Sequence, residues 1–183
     1  MKLTQMITCT LLLAGAAAAQ DVAYNFDQQA DFSRYKTYKW VEIPGGHQVD
    51  ELTTKQLTDA FQAGLGTKGL TKTDSDTADL FVGYQLAISQ EKQLNTYTTG
   101  GGYGPGWRGG WYGGAPTMTT GSTTTILIGT VALDMYDGST KNLVWRGVAS
   151  KTIDTKAKPE KRQKNINKGV QKMLKNYPPQ KKS

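Results

Sequence analysis

Side chains that commonly carry out catalysis are scarce in this chain and stand apart from one another. His47 is the single histidine, which excludes a His-rich metal site and an H-E-x-x-H zinc motif. Asp74, Asp76 and Asp79 are spaced like the start of a calcium-binding loop, but no glycine follows the third position and no glutamate closes the loop. We therefore predict a solvated turn there, no metal, no cofactor and no catalytic residues.

One glycine-rich run has the letters of a dinucleotide-binding motif. Residues Gly104–Gly109 match G-x-G-x-x-G. In dinucleotide-binding proteins this motif joins a strand to a helix whose N-terminus faces the pyrophosphate. Here glycines and a proline continue through Pro116, and no acidic residue follows about 20 positions on. We predict no dinucleotide site, and because Arg108 is a single arginine among the glycines, we predict no nucleic-acid partner.

The same run belongs to a longer loop predicted over residues 96–122, which holds ten of the chain's 21 glycines. A loop of this length inside a compact domain is usually functional or disordered. Three interpretations stay open: a flexible loop without a fixed partner, a contact with a membrane interface, and a stacking surface for sugar or aromatic ligands. The candidate contact residues are Tyr103, Trp107, Arg108, Trp111 and Tyr112.

Residues 1–19 have the three parts of a secretory signal peptide. Lys2 precedes an apolar stretch through Leu11–Leu13, and small residues follow up to Ala19. Cleavage after Ala19 would remove the single cysteine. A lipoprotein signal requires a cysteine where this chain has Ala16. We therefore expect an exported protein without lipid, periplasmic or associated with the outer membrane.

The predicted last helix has a basic face, formed by Lys161, Lys164, Lys168, Lys172 and Lys175. The chain has a formal net charge of +7, and a basic surface attracts polyanions. In an exported bacterial protein the matching partners are anionic envelope components or an envelope protein. The alternative is an ordinary solvated helix face, since a net charge of this size is common in small domains.

Hydrophobic periodicity predicts five strands and two helices. Alternating side chains indicate strands over Val22–Phe26, Thr37–Glu42, Leu80–Ser89, Thr123–Tyr136 and Leu143–Ile153. A first helix is predicted between the N-cap Asp50 and Gly66, and a second from Pro159 to Tyr177. No segment after residue 19 is apolar and long enough to predict a transmembrane helix.

The order β-β-α-β-β-β-α predicts an α+β fold. We expect one domain over residues 20–178, with a mainly antiparallel sheet of about five strands and two helices packed on one face. Asp137-Gly138 predicts a hairpin between the last two strands. Residues 179–183 are expected to be a basic tail.

Three groups of residues together resemble a known bacterial family. They are Asp31–Trp40; Lys68–Leu70 with Ala78–Leu80, Val82 and Tyr84; and Gly129–Asp134 with Leu143–Gly147 and Pro159–Lys161. By these motifs the chain resembles the domain-of-unknown-function family 4136, which includes envelope proteins and lipoproteins, over about residues 22–178. The resemblance implies an exported α+β domain without catalytic residues. It also implies that Tyr38, Trp40 and Trp145 are core aromatics and that Gly147 is a point of close packing.

The sequence thus predicts an exported cell-envelope protein that is not an enzyme and has a binding or structural role. One alternative stays open, because the two carboxylates of a glycosidase meet in space and not in sequence order. The alternative is a small periplasmic hydrolase that acts on envelope material through carboxylates that the sequence does not identify.

Overall fold

The computed structural model describes the backbone of residues 21–99 and 118–180 and the side chains of residues 21–92 and 121–180. Within these ranges the α+β class and the two helices are confirmed. In chain order the elements are β1 (Asp21–Phe26), β2 (Thr37–Trp40), α1 (Glu51–Gly66), β3 (Thr71–Lys72), β4 (Leu80–Thr99), β5 (Met118–Asp137), β6 (Leu143–Thr152) and α2 (Pro159–Met173). Short 3₁₀ turns lie at Phe32–Arg34 and Leu174–Asn176.

The described part of the sheet has six strands in the order β1-β6-β5-β4-β2-β3, and it is mixed. The hairpin predicted at Asp137-Gly138 is present as the antiparallel pair β5 and β6. The expected sheet of about five mainly antiparallel strands needs correction, because β2 runs parallel to both β3 and β4. The reason is the chain path: α1 carries the chain from the end of β2 back to the start of β4, as in a βαβ crossover.

Both helices begin where the sequence predicts. The Asp50 carboxylate accepts a hydrogen bond from the Thr53 N–H at 2.9 Å, which caps α1. Pro159 occupies the first turn of α2, where a missing N–H costs nothing. Helix α1 ends at Gly66, as predicted. Among the described residues, no helix is long and apolar enough to cross a bilayer.

The core lies between the helices and one face of the sheet. Phe61 of α1 packs against Tyr84 of β4, with ring centroids 5.5 Å apart. Met173 of α2 lies against Gly147 of β6, where an added Cβ would be 2.6 Å from its side chain. Tyr84 and Gly147 share one row of paired residues through Leu133 of β5, so both helices cover the same face.

The aromatic residues that the family resemblance placed in the core are in it. Tyr38 and Trp145 are fully buried, and Trp40 is half-buried. The expectation for Gly147 is also confirmed, since a Cβ there would come within 2.3 Å of the Trp145 ring. The large ring of Trp145 therefore needs a residue without a side chain two positions along the same strand.

Candidate functional site

Strands β4 and β5 are much longer than the sheet to which they belong. Each has 20 residues, and they pair in one unbroken register from Leu80 and Asp137 to Thr99 and Met118. The strands on either side are shorter, since β6 has 10 residues and β2 has 4. About half of the hairpin therefore has no third strand beside it in the described structure.

Two hydrogen bonds mark where the neighbouring chain segments end. The Ile153 N–H donates to the Leu127 carbonyl at 2.7 Å, and the His47 N–H donates to the Leu86 carbonyl at 2.7 Å. Beyond them, residues 91–99 and 118–126 pair only with each other. We call these two segments the arm. At about 3.3 Å per residue, the arm projects from the sheet by roughly 30 Å.

The edges of the arm lack the features that usually protect a sheet edge. Natural edge strands carry proline, bulges or several charges. The arm has no proline, its register has no bulge, and Glu91 and Lys92 are its only charged residues. The described side chains of the arm in residues 91–92 and 121–125 are all exposed. The backbone N–H and C=O groups along both edges can therefore pair with another strand.

The arm changes the bounds of the loop predicted over residues 96–122. Strand β4 continues through Thr99 and β5 begins at Met118, so both ends of the predicted loop belong to strands. The threonines on both sides of the glycine-rich run are the sequence feature that indicates these strand extensions, because threonine favours strands. The predicted contact residues Tyr103, Trp107, Arg108, Trp111 and Tyr112 lie outside the described residues.

The basic face predicted on the last helix is exposed to solvent. It consists of Lys161, Lys164, Lys168, Lys172 and Lys175, the last of which lies in the 3₁₀ turn after α2. Glu160 is the only acidic residue of α2. One of the five lysines is paired, since the Lys161 Nζ lies 2.9 Å from the Asp154 Oδ2. The face therefore has the charge and the exposure that contact with an anionic surface requires.

Asp137, at the end of β5, is one of two buried carboxylates in the described core. Its oxygens accept hydrogen bonds from the Tyr35 hydroxyl (2.9 Å), the Ser139 N–H (2.9 Å) and the Thr140 N–H (2.9 Å), and Arg34 forms an ion pair with it. Burial alone raises the pKa of this carboxyl, but the hydrogen bonds outweigh burial and hold the pKa well below its usual range. Asp137 is therefore ionised at neutral pH and ties the turn after β5 to the 3₁₀ turn before β2.

Asp134 is the second buried carboxylate. Arg146 donates to both of its oxygens, from Nε at 2.5 Å and from Nη2 at 2.6 Å. Because side chains alternate along a strand, Asp134 and Asp137 project from opposite faces of β5. A glycosidase needs two carboxylates on either side of one substrate bond. These two cannot form such a pair, and each is held by an arginine as part of the fold.

Asp74 and Asp76 of the acidic cluster lie in an exposed turn, as predicted, whereas Asp79 is half-buried. Asp76 is paired with Lys39 at 2.5 Å. Asp79 accepts hydrogen bonds from the backbone N–H groups of Lys36 and Thr37, both at 2.9 Å, and these bonds lower its pKa. The cluster thus joins β4 to the start of β2. Among the described residues, no three His, Cys, Asp or Glu side chains are grouped so that they could hold a metal ion.

Comparison with known proteins adds a family and a fold. A family model described as "Domain of unknown function (DUF4136)" matches residues 22–179 of the chain. No curated protein sequence matches the chain.

Two solved structures share the fold at low sequence identity. A PDZ domain protein from Parabacteroides distasonis has a TM-score of 0.52 and 14% identity over 89% of this chain, which spans only 37% of that protein's length. A variant of the PelC dodecamer from Paraburkholderia phytofirmans has a TM-score of 0.50 and 9% identity over 85% of this chain and 95% of its own. At these identities the likeness shows the fold alone.

Proposed function

This chain belongs to the family described as domain of unknown function (DUF4136), and from that premise we propose that it is a non-catalytic structural protein of the bacterial cell envelope. It assembles with further copies of itself through the arm. The basic face of α2 is a second contact surface, directed to anionic envelope components.

The unprotected arm is the observation that carries this proposal. An isolated two-stranded ribbon is only marginally stable in water, and three or more strands are needed for stability. Pairing along its edges with another arm would supply the missing strands and hydrogen bonds. The PelC structure with a similar fold is described as a dodecamer. That description is consistent with self-assembly on this fold, while the argument for this chain depends on its own arm.

A non-catalytic role is supported by the two buried carboxylates of the described core. Asp134 and Asp137 are each bound to an arginine and project from opposite faces of one strand. The hydrolase alternative requires two carboxylates that share one substrate, and neither of these is available for that role.

Export is supported by residues 1–19, which lie outside the described residues. We expect cell fractionation to place the protein in the periplasm or with the outer membrane. Its intact mass should equal that of Gln20–Ser183 without lipid, because Ala16 stands where a lipidated cysteine would be. Recovery from the cytoplasm with Met1 present, or a mass increased by acyl chains, would contradict export without lipid.

Replacement of the arm tests assembly. Gln90 and Leu127 are directly paired in the hairpin, so an Asn-Gly turn between them can replace residues 91–126. Because the described side chains of the arm at 91–92 and 121–125 are exposed and none belongs to the core, we expect the variant to fold with its free energy of unfolding changed by less than about 1 kcal/mol. We also expect it to lose self-association.

A further inference from the structure

A cleft opens at the base of the arm, between the sheet and the two helices. Its volume is about 420 Å³, within the roughly 300–1,000 Å³ of small-molecule sites. Leu86, Ile88, Val131 and Ala149 line its floor on three neighbouring strands. These residues belong to cross-strand pairs on one face of the sheet. It is the same face that α1 and α2 cover further along the strands, at Tyr84 and Gly147.

The walls of the cleft are also apolar. Leu57 of α1 and Val170 of α2 both line it, and both are buried. Two large apolar side chains of the cleft stay in contact with water, since Ile88 is 43% exposed and Ile153 is 37% exposed. Exposed apolar side chains in a concave surface are typical of a ligand site.

Gly129 leaves space above the floor. It pairs with Ile88 on one side and Lys151 on the other, so its side-chain direction points into the cleft. An added Cβ would lie 3.1 Å from the Ile153 Cδ1 and 3.2 Å from its Cγ1, and the next nearest atom is the Lys151 carbonyl oxygen at 3.9 Å. Glycine inside a strand often marks a place where a ligand or another backbone approaches closely.

The rim of the cleft is positively charged. Lys151 and Arg162 line it, and within the described side chains neither has a carboxylate at ion-pair distance. One of the five N–H donors of Arg162 is used within the fold, since its Nη2 lies 3.3 Å from the Ala157 carbonyl oxygen. The one carboxylate in the lining, Asp154, is paired with Lys161 at 2.9 Å. The rim thus complements an anion above an apolar floor.

We propose that the cleft binds one acyl chain of an anionic amphiphile, with the chain on the sheet floor and the carboxylate of a fatty-acid-like head group facing Lys151 and Arg162. This site does not depend on assembly through the arm. The arm-replaced variant keeps Gln90 and Leu127, and therefore the whole cleft, so it should bind the amphiphile as the native chain does.

Calorimetric titration of the full mature protein with hexanoate, octanoate and decanoate tests the proposal. Each added methylene that is buried should tighten binding by roughly fourfold until the cleft is full. Decyltrimethylammonium should bind more weakly than decanoate, because its head group has the same sign as the rim. Affinity that does not depend on chain length, or equal affinity for the two head groups, would overturn the proposal.

Variants separate the two parts of the site. Lys151→Gln combined with Arg162→Gln should weaken decanoate binding by about fivefold and leave decanol binding unchanged. Lys72→Gln, on an exposed position of β3 outside both the cleft and the basic face, is the matched control and should change neither. Gly129→Phe should abolish binding of both decanoate and decanol. If this variant does not fold, the charge variants and the chain-length series still test whether the cleft binds the amphiphile.

One competing occupant is a second copy of the chain. In that case Gly129→Phe would lower the mass in solution, and decanoate would not bind to the native protein. That result would overturn the amphiphile site.

Discussion

Replacing Trp145 by alanine is expected to lower the free energy of unfolding by about 3–5 kcal/mol. Trp145 is fully buried, and its ring meets that of Tyr177 edge to face with centroids 5.6 Å apart. It joins β6 to the end of α2, so its removal would leave a cavity where the sheet and the helix meet. Urea unfolding followed by circular dichroism measures the loss.

Trp145→Phe is the matched control for this prediction. Within the described structure the buried indole Nε1 of Trp145 has no hydrogen-bond partner. Phenylalanine keeps an aromatic ring and removes this unsatisfied donor, which by itself is costly to bury. We therefore expect it to lose less than half of what alanine loses. Equal losses for the two variants would show that packing of the ring is not the source of the stability.

Asp137→Asn is expected to lower the free energy of unfolding by about 3 kcal/mol, the lower end of the cost of breaking a buried ion pair. The lower end applies because the Arg34 side chain is 54% exposed and stays hydrated when its partner is lost. Asp59→Asn, which breaks the exposed pair of Asp59 with Lys55, is the matched control and should have no measurable effect.

Asp137 should also make stability depend on acid pH. Its pKa in the folded protein lies below that of the unfolded chain, where an aspartate titrates near about 3.9. The unfolded state therefore takes up the proton first as pH falls. The stabilisation by Asp137 is fully present when the pH is above the pKa of this aspartate in the unfolded chain. It is lost as the pH falls through the lower pKa of Asp137 in the folded protein. Unfolding midpoints measured from neutral pH into acid should fall more steeply for the native chain than for Asp137→Asn, and parallel curves would contradict this role.

Local patterns were sufficient to predict the helices and the core. The N-cap Asp50, the first-turn proline Pro159 and the alternation from Leu80 each specify an element through nearby residues. The motifs around Tyr38 and Trp145 likewise identified core positions, because large aromatics on strands are buried wherever the sheet is covered.

Features that depend on distant residues could not be predicted in this way. The parallel pairing of β2 with β4 results from the path of α1, and the two residues of β3 are too few to show a period. The Asp137 network joins residues about a hundred positions apart. The glycine-rich run between the two strands of the arm led to the prediction of a loop over residues 96–122, so the outer parts of both strands were missed. The cleft could not be predicted because it is formed where three strands and two helices meet.

Sedimentation velocity of the mature protein over a range of concentrations tests most directly whether the arm joins copies of this chain. We expect the native chain to sediment as an oligomer and the chain with residues 91–126 replaced by Asn-Gly to sediment as a monomer. A variant that lacks only residues 100–114 separates the strands of the arm from the segment between them, and it should still assemble. A native chain that stays monomeric, or an arm-replaced variant that sediments like the native oligomer, would contradict the claim.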